Sequence, residues 1–257
     1  MAGYTLEAES PLEMEVKASM CRNTFMLIGS VVTSLFAISL FAGCGSNSTI
    51  GPAKNHFVPD PGKAALVIID MQNFSCAPAY GKPMPGIKEV IKQVNRLADS
   101  CREEDIPVIW VRQNFTSNGS ANDAGLYPLF HDEAQVQSIT NRGPGTEIYP
   151  GMHYDPLKDH VVFKNRYSAF LSDPPELRNL LKELGKTQLV VAGVAANVCV
   201  ECTVRDAVQL DYQVILVSDA VTSPDEALLN STLTNTRLFF GDVRSAGDVI
   251  AELQVRK

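Results

Sequence analysis

The stretch QLVVAGVAANVCVECTVRDA, residues 188–207, decides the fold of this chain. Its apolar, partly β-branched segment at 189–192 is typical of a parallel strand that is buried on both faces. Gly193 interrupts this segment, and Asn197 is the predicted N-cap of a helix in which apolar residues recur at helical spacing. The sequence therefore predicts a buried strand, a turn and a helix.

Cys199 falls in the first turn of that predicted helix. Free N–H groups and the positive end of the helix dipole favour a thiolate over a thiol there, and they can also hold an oxyanion. Both properties suit a cysteine nucleophile in acyl transfer. The alternative is a small core cysteine, because free cysteine is among the most buried residue types.

Strand and helix patterns alternate on both sides of this stretch. Further strands are predicted at 64–69, 107–111, 160–163, 212–217 and 237–240, and further helices at 86–103, 175–184, 223–233 and 247–253. Such alternation requires crossover connections and a parallel sheet. We therefore predict an α/β fold: a doubly wound, mostly parallel six-stranded sheet with helices on both faces, in a Rossmann-like three-layer arrangement.

The segment 112–150 interrupts the alternation, because Asn, Ser, Gly and Pro dominate it. Connections of this length without secondary structure are uncommon and usually functional. We predict that it forms a partly ordered lid or substrate loop, which covers either its own site or that of a neighbouring subunit.

Composition narrows the classes of function. A formal charge of -7 and a pI near 5.1 argue against nucleic acid as a partner and favour a small-molecule substrate. The 6 cysteines are too few and too irregularly spaced for a disulfide scaffold in 257 residues. With 45% hydrophobic residues, the chain is long enough for one catalytic domain, which we place at 63–257.

The N-terminal part has a different character. Residues 24–43 contain no charge and are long enough for a membrane-spanning helix or a signal-peptide core. The sequence LFAGC at 40–44 resembles the lipobox of bacterial lipoproteins, in which the cysteine, here Cys44, is lipidated. We therefore assign 1–43 to a signal or anchor segment and 44–62 to a flexible tether, with Met20 as an alternative start because Arg22 follows it.

This assignment has consequences for localisation. The N-terminal segment alone would attach the protein to a membrane, and the catalytic domain would lie outside the cytoplasm. The alternative is that the apolar segment is a buried helix of a cytoplasmic protein.

Three predicted strand ends carry reactive side chains. Asp70, Lys164 and Cys199 each follow a strand, and ligands in open parallel sheets bind beyond the carboxyl ends of the strands. The carboxylate can accept the thiol proton, and the ammonium can keep the carboxylate ionised and add positive potential beside the sulfur. Singly, these residues could be a turn cap, a surface lysine and a core cysteine. Together they predict a catalytic site.

Three motifs resemble the isochorismatase-like cysteine hydrolase family, which includes nicotinamidases, N-carbamoylsarcosine amidohydrolase and ureidoacrylate amidohydrolase. They are LVIIDMQNFS at 66–75, VVFKNRYSAF at 161–170 and VAGVAANVCVECTVRDA at 191–207. The resemblance implies a catalytic triad of Asp70, Lys164 and Cys199. It also implies a cis peptide bond between Val194 and Ala195, and an oxyanion hole formed by the N–H groups of Ala195 and Cys199.

The reaction that this resemblance implies is amide hydrolysis through a thioester on Cys199, with release of ammonia or an amine. The alternative within the family is isochorismate hydrolysis, the cleavage of a vinyl ether, and members that perform it can lack the cysteine. Cys199 therefore favours an amidohydrolase. Family members often associate, so we expect a homo-oligomer.

A second set of residues limits which substrates are expected. Nicotinamidases hold a metal through an Asp-x-His pair, which the 4 histidines of this chain do not form, so we expect no metal and no other cofactor. The sequences around Lys164 and Cys199 are most similar to the ureidoacrylate and carbamoyl-amide branch, which would place Asn114 and Tyr167 against the substrate. The alternatives are a turn residue and a core aromatic residue.

Cys199 and Cys202 also form a C-x-x-C sequence. Taken alone, this spacing suits a redox pair, and a disulfide between the two residues would inactivate a hydrolase. A further alternative is a membrane-tethered binding protein without catalytic activity on the same scaffold.

Overall fold

Six strands form one parallel sheet in the computed structural model, which describes residues 55–80, 83–119 and 123–255. The strands are β1 (Ala64–Ile69), β2 (Val108–Gln113), β3 (His160–Lys164), β4 (Gln188–Val194), β5 (Gln213–Thr222) and β6 (Asp242–Arg244). Their order is β3-β2-β1-β4-β5-β6, and every neighbouring pair is parallel. The predicted doubly wound α/β fold is confirmed.

Helices connect the strands, as parallel pairing requires. In the described part of the chain they are α1 (Asn73–Cys76), α2 (Ile87–Glu103), α3 (Glu133–Ser138), α4 (Glu176–Glu183), α5 (Glu201–Gln209), α6 (Glu226–Asn235) and α7 (Ala246–Gln254). A π-helical turn, Ala196–Val200, leads directly into α5, and a second, Thr236–Phe240, extends α6.

The central strand β1 explains why helices cover both faces of the sheet. Alternate residues of a strand point to opposite faces. Leu66 and Ile68 pack against α2 and α7, whereas Val67 and Ile69 pack against α4 and α5. Every residue of β1 is fully buried, so the sheet is the middle layer of three.

The segment between β2 and β3 contains regular secondary structure. Besides α3, its described part holds two 3-10 turns, Tyr127–Leu129 and Pro144–Thr146. Asp132 caps α3 by accepting hydrogen bonds from the N–H groups of Ala134 and Gln135. The segment has a small buried core of its own, made of Phe115, Ala124, Tyr127, Val136 and Ile139. It therefore forms a fixed layer at the end of the sheet.

The predictions of the sixth strand and of the helix cap before Cys199 are wrong. The sixth strand was expected at 237–240, but those residues continue α6 as the π-helical turn, and β6 lies just beyond them. Asp242 and Arg244 of β6 form a buried ion pair of 2.7 Å. Because two of its three residues are charged, β6 does not have the apolar pattern by which a buried strand is predicted. The predicted N-cap Asn197 lies inside the first π-helical turn instead, because that turn starts directly after Ala195.

The N-terminal predictions fall largely outside the described residues. These are the signal or anchor segment 1–43 and the lipidation of Cys44, and they stay predictions. The last residues of the expected tether pack on the domain, since the N–H groups of His56 and Phe57 bond to Asp242 and that of Asp60 to Gln188. Within the described residues, no helix combines the length and the apolar character needed to cross a bilayer.

We predict that Gly193→Ala strongly destabilises the fold. Gly193 has φ of +115°, and an added Cβ would lie 2.0 Å from the carbonyl oxygen of Ile69 on the neighbouring strand. The free energy of unfolding should fall by about 4 kcal/mol, because backbone atoms at the centre of the sheet cannot move aside.

The control is Gly185→Ala, at another left-handed position with φ of +64° where an added Cβ meets nothing within 4 Å. It should lower the free energy of unfolding by about 1 kcal/mol, because only the strain of a left-handed backbone conformation contributes. Urea unfolding measures both values, and equal losses would contradict the proposed clash.

Candidate active site

Asp70, Lys164 and Cys199 meet at the carboxyl end of the sheet. Asp70 directly follows β1, Lys164 ends β3, and Cys199 lies in the π-helical turn that follows β4. The chain crosses from one half of the sheet to the other between β3 and β4, so β1 and β4 flank the point where the strand order reverses. This is where open α/β sheets bind ligands.

The Lys164 ammonium contacts both of the other residues. Its Nζ lies 3.0 Å from Asp70 Oδ2 and 3.4 Å from Cys199 Sγ. Nζ also donates to Gln113 Oε1, at the end of β2, and to the carbonyl oxygen of Arg166 at 3.1 Å. With only 1% of Lys164 exposed and three N–H donors to share among these neighbours, the ammonium is fixed in place.

Burial and charge set the protonation states of this cluster. Burial alone would lower the pKa of Lys164, but the Asp70 carboxylate and the Cys199 sulfur raise it above its usual value. Burial raises the pKa of Asp70 above 3.8, although Lys164 opposes the change. The lysine is therefore a permanent cation beside a carboxyl group that binds a proton more readily than an exposed one.

The surroundings of the Cys199 sulfur act against the thiolate that a helix N-terminus favours. Burial raises the pKa of the Cys199 thiol, and the Asp70 carboxylate raises it further, against the opposing effect of Lys164. Cys199 is therefore a thiol at rest, and a thiolate forms only when a neighbour takes its proton.

Asp70 is held in a left-handed backbone conformation with φ of 55°. Its carbonyl oxygen accepts hydrogen bonds from the N–H of Gln72, at 2.8 Å, and from Ser75 Oγ. The side chain of Gln72 bonds in turn to the backbone of Gln113 and to the carbonyl oxygen of Thr146. These bonds fix the ends of β1 and β2 and connect them to the segment after β2.

The backbone around Cys199 is also braced. The peptide bond between Val194 and Ala195 is cis, as the family resemblance implies. The Cys199 carbonyl oxygen accepts a hydrogen bond of 2.7 Å from Thr203 Oγ1, which itself accepts one of 3.1 Å from the N–H of Ala169. The turn that carries the thiol is thereby joined to the segment that follows Lys164.

A cavity of about 210 Å³ opens over the thiol. Tyr127 and His131, from the segment after β2, form one wall; their rings stack in parallel with centroids 3.6 Å apart. His131 Nδ1 donates to the Tyr127 carbonyl oxygen at 2.9 Å, since a carbonyl can only accept. The remaining lining comes from Asp70, Phe74, Ser75, Met84, Gln135, Tyr167, Val194, Ala195, Val198, Cys199 and Pro224.

The two predicted substrate residues lie in different places. Tyr167 lines the cavity, with its ring centroid 5.4 Å from that of Tyr127. Asn114 is not among the described residues that line it, and its Oδ1 accepts a hydrogen bond of 2.7 Å from the N–H of Arg142. Asn114 thus fixes a turn, and its contact with substrate stays a prediction.

Several residues of the site were not predicted from the sequence. Gln113 and Ser75 were not singled out, although Gln113 stands at a strand end and Ser75 follows Asp70 closely, which were usable signals. His131 gave no such signal because only the folded segment brings it to the thiol. In the described ranges, no group of three or more His, Cys, Asp or Glu is arranged to hold a metal ion.

The C-x-x-C pair is present as two free thiols. Cys199 is buried, whereas Cys202 is half-buried one turn further along the helix. Its neighbours differ from those of Cys199: the pKa of Cys202 is raised by its burial and then by the carboxylates of Asp206 and Glu201. Of the two thiols, that of Cys199 is the one whose pKa the Asp70 carboxylate raises.

Comparison with known proteins identifies the family of the chain. The model of the isochorismatase domain matches residues 64–248. Ureidoacrylate amidohydrolase RutB of Pseudomonas savastanoi pv. phaseolicola is 32% identical over 206 residues, covering 73% of this chain and 82% of that protein. A probable inactive nicotinamidase of Arabidopsis thaliana is 32% identical over 161 residues, 62% of this chain and 80% of that protein.

The fold has close matches among solved structures. The crystal structure of a cysteine hydrolase from Pseudomonas syringae pv. phaseolicola superposes with a TM-score of 0.70 at 25% identity, covering 81% of this chain and all of that one. The resemblance inferred from the three motifs is thereby confirmed. This chain belongs to the isochorismatase-like hydrolase family.

Proposed function

We propose that the protein is a cysteine-dependent amidohydrolase, which cleaves the C–N bond of a small linear amide or of a ureido or carbamoyl compound. The observation that carries this proposal is the contact of Lys164 Nζ with both Asp70 Oδ2 and Cys199 Sγ under the cavity. A nucleophile, a proton acceptor and a fixed positive charge are the parts that acyl transfer needs.

In the first step, Asp70 accepts the thiol proton as the Cys199 sulfur attacks the carbonyl carbon. The raised pKa of Asp70 suits this transfer, because a carboxyl group with a higher pKa is a better base. Lys164 stabilises the negative charge while it moves from the carboxylate to the sulfur. A C–S bond forms, and the carbonyl oxygen becomes an oxyanion.

The N–H groups of Ala195 and Cys199 are the proposed oxyanion hole. Both residues line the cavity beside the thiol. Preorganised backbone donors of this kind stabilise the charge that develops in the transition state, and one such donor is worth about 3 kcal/mol. Collapse of the oxyanion breaks the C–N bond, and Asp70 returns its proton to the departing nitrogen.

Water completes the reaction. Asp70, now a carboxylate again, takes a proton from water as the water oxygen attacks the thioester. The C–S bond breaks, the acid leaves, and the proton passes back to the Cys199 sulfur. One water is consumed for each amide cleaved, and the resting thiol is restored.

The relatives support an amide substrate, since one of them is named a ureidoacrylate amidohydrolase. The second candidate function is hydrolysis of a vinyl ether, which the description of the matched domain favours. That reaction needs no sulfur nucleophile, so the Cys199 variant separates the two. A binding protein without activity is the third candidate, favoured by the relative that is named inactive.

Replacing Cys199 by alanine should abolish hydrolysis. We expect wild-type protein to release ammonia or an amine from at least one compound in a panel of small amides and ureido acids under reducing conditions. In Cys199→Ala, kcat should fall by about 10⁴-fold or more, because no thioester can form.

The matched control for this variant is Cys202→Ala, which removes the other cysteine of the pair but leaves the Asp70 and Lys164 contacts intact. Its kcat should stay within about twofold of the wild type. Turnover that survives in Cys199→Ala would contradict the thioester route. Equal loss in both variants would show that Cys202 is also required, which the thioester route does not predict.

The pH dependence of turnover should report on Asp70. Asp70 must be ionised to accept the thiol proton, so kcat/KM should rise with pH through its pKa. Because burial raises that pKa above 3.8, the midpoint of the acidic limb should also lie above 3.8. Asp70→Asn should lower kcat by about 10³-fold, since the leaving nitrogen then receives no proton. A midpoint below 3.8, or an unchanged limb in the variant, would rule out Asp70 as the base.

A further inference from the structure

A second, larger cavity adjoins the catalytic one. Its volume is about 570 Å³, and it lies between α1, the 3-10 turn Pro78–Tyr80 and the start of α3. The residues that line it are Phe74, Ser75, Ala79, Tyr80, Met84, Asp132, Ala134 and Gln135. We call it the outer cavity, and the one over Cys199 the inner cavity.

The two cavities share a boundary. Phe74, Met84 and Gln135 line both of them, as does Ser75, which bonds to the Asp70 carbonyl oxygen. A group bound in the outer cavity is therefore separated from the thiol by one layer of side chains. The outer cavity therefore lies beside the reacting centre.

The size of the inner cavity makes this shared boundary significant. Small-molecule sites usually measure about 300–1,000 Å³, and the inner cavity alone falls short of this range. The two cavities together fall within it. Together they offer room for a longer molecule than the inner cavity alone can hold.

The chemistry of the outer cavity selects for one kind of group. Phe74, Tyr80 and Met84 provide aromatic and apolar surface. The side chains of Ala79 and Ala134 are small and leave the cavity unfilled. Among the described residues that line it, Asp132 carries the carboxylate, and its Oδ1 accepts hydrogen bonds from the N–H groups of Ala134 and Gln135. An apolar or aromatic group without negative charge is therefore favoured, and a carboxylate is repelled.

The wall of the outer cavity is preformed. Helix α3 is capped by Asp132, and Val136 and Ile139 anchor it in the small core of the segment after β2. A rigid wall lowers the entropic cost of binding, because little has to be ordered when the ligand enters.

We propose that the outer cavity is a second substrate subsite, which holds an uncharged apolar or aromatic group joined to the amide that Cys199 attacks. This inference rests on the proposed amidohydrolase function and narrows its substrate class to extended amides with an apolar tail. A ureido acid whose carboxylate would lie in the outer cavity is a poorer substrate.

The test compares tailed and short amides in matched variants. Ala134→Trp fills the outer cavity and leaves the inner lining unchanged, because Ala134 lines only the former. Gln137→Trp is the control, since Gln137 lies on the same helix but lines a different cavity. The probes are butyramide, 4-phenylbutyramide, N-(2-phenylethyl)acetamide and glutaramate, which differ in the length, position and charge of the tail.

We expect wild-type protein to show at least tenfold higher kcat/KM for one of the phenyl compounds than for butyramide or glutaramate. In Ala134→Trp this preference should disappear through a rise in KM, with kcat/KM for butyramide within twofold of the wild type. Gln137→Trp should behave as wild type. Equal rates for short and tailed amides in the wild type, or equal losses for both in Ala134→Trp, would overturn the proposal.

A binding measurement separates this inference from the proposed function. The phenyl compounds should protect Cys199 from alkylation by iodoacetamide in wild-type protein and in Gln137→Trp, but not in Ala134→Trp. Protection without turnover would support the subsite and count against amide hydrolysis. Turnover of amides without any selective protection would support the hydrolase and overturn the subsite.

Discussion

The buried ion pair between Lys164 and Asp70 is the interaction on which the site depends. Removing two charges from water is costly, and good geometry with further hydrogen bonds must offset that cost. Here Gln113 and the Arg166 carbonyl provide those bonds to the ammonium. Loss of one partner from such a pair costs about 3–5 kcal/mol, because the other charge stays buried and unpaired. The ends of β1, β2 and β3 must therefore be held in register.

The pair also determines how the cysteine becomes reactive. A thiolate at rest would need a low pKa, but burial and the Asp70 carboxylate raise the pKa of Cys199. The negative charge on this buried cluster is thus carried by either the carboxylate or the sulfur, beside a permanent cation. Proton transfer from Cys199 to Asp70 moves that charge over a short distance and changes no net charge. This arrangement suits a nucleophile that is needed only when a substrate fills the cavity.

The sequence was sufficient for residues whose position follows from local pattern. Asp70, Lys164 and Cys199 each end or follow an apolar strand, and parallel strands bring their carboxyl ends together. Residues that depend on distant contacts were not predictable. His131 reaches the cavity only because the segment after β2 folds around its own core, and the outer cavity exists only where that segment meets α1. β6 was missed because its buried charges look like surface residues, and Asn197 because the helix begins as soon as the strand ends.

The most direct test of the coupling between Asp70, Lys164 and Cys199 is the pH dependence of Cys199 alkylation by iodoacetamide, followed by peptide mass spectrometry. Asp70→Asn removes the carboxylate that raises the pKa of the thiol and leaves the Lys164 ammonium beside the sulfur. The alkylation midpoint of Cys199 should therefore move to lower pH in this variant, whereas that of Cys202 should not change. An unchanged or higher midpoint for Cys199 would contradict the proposed coupling.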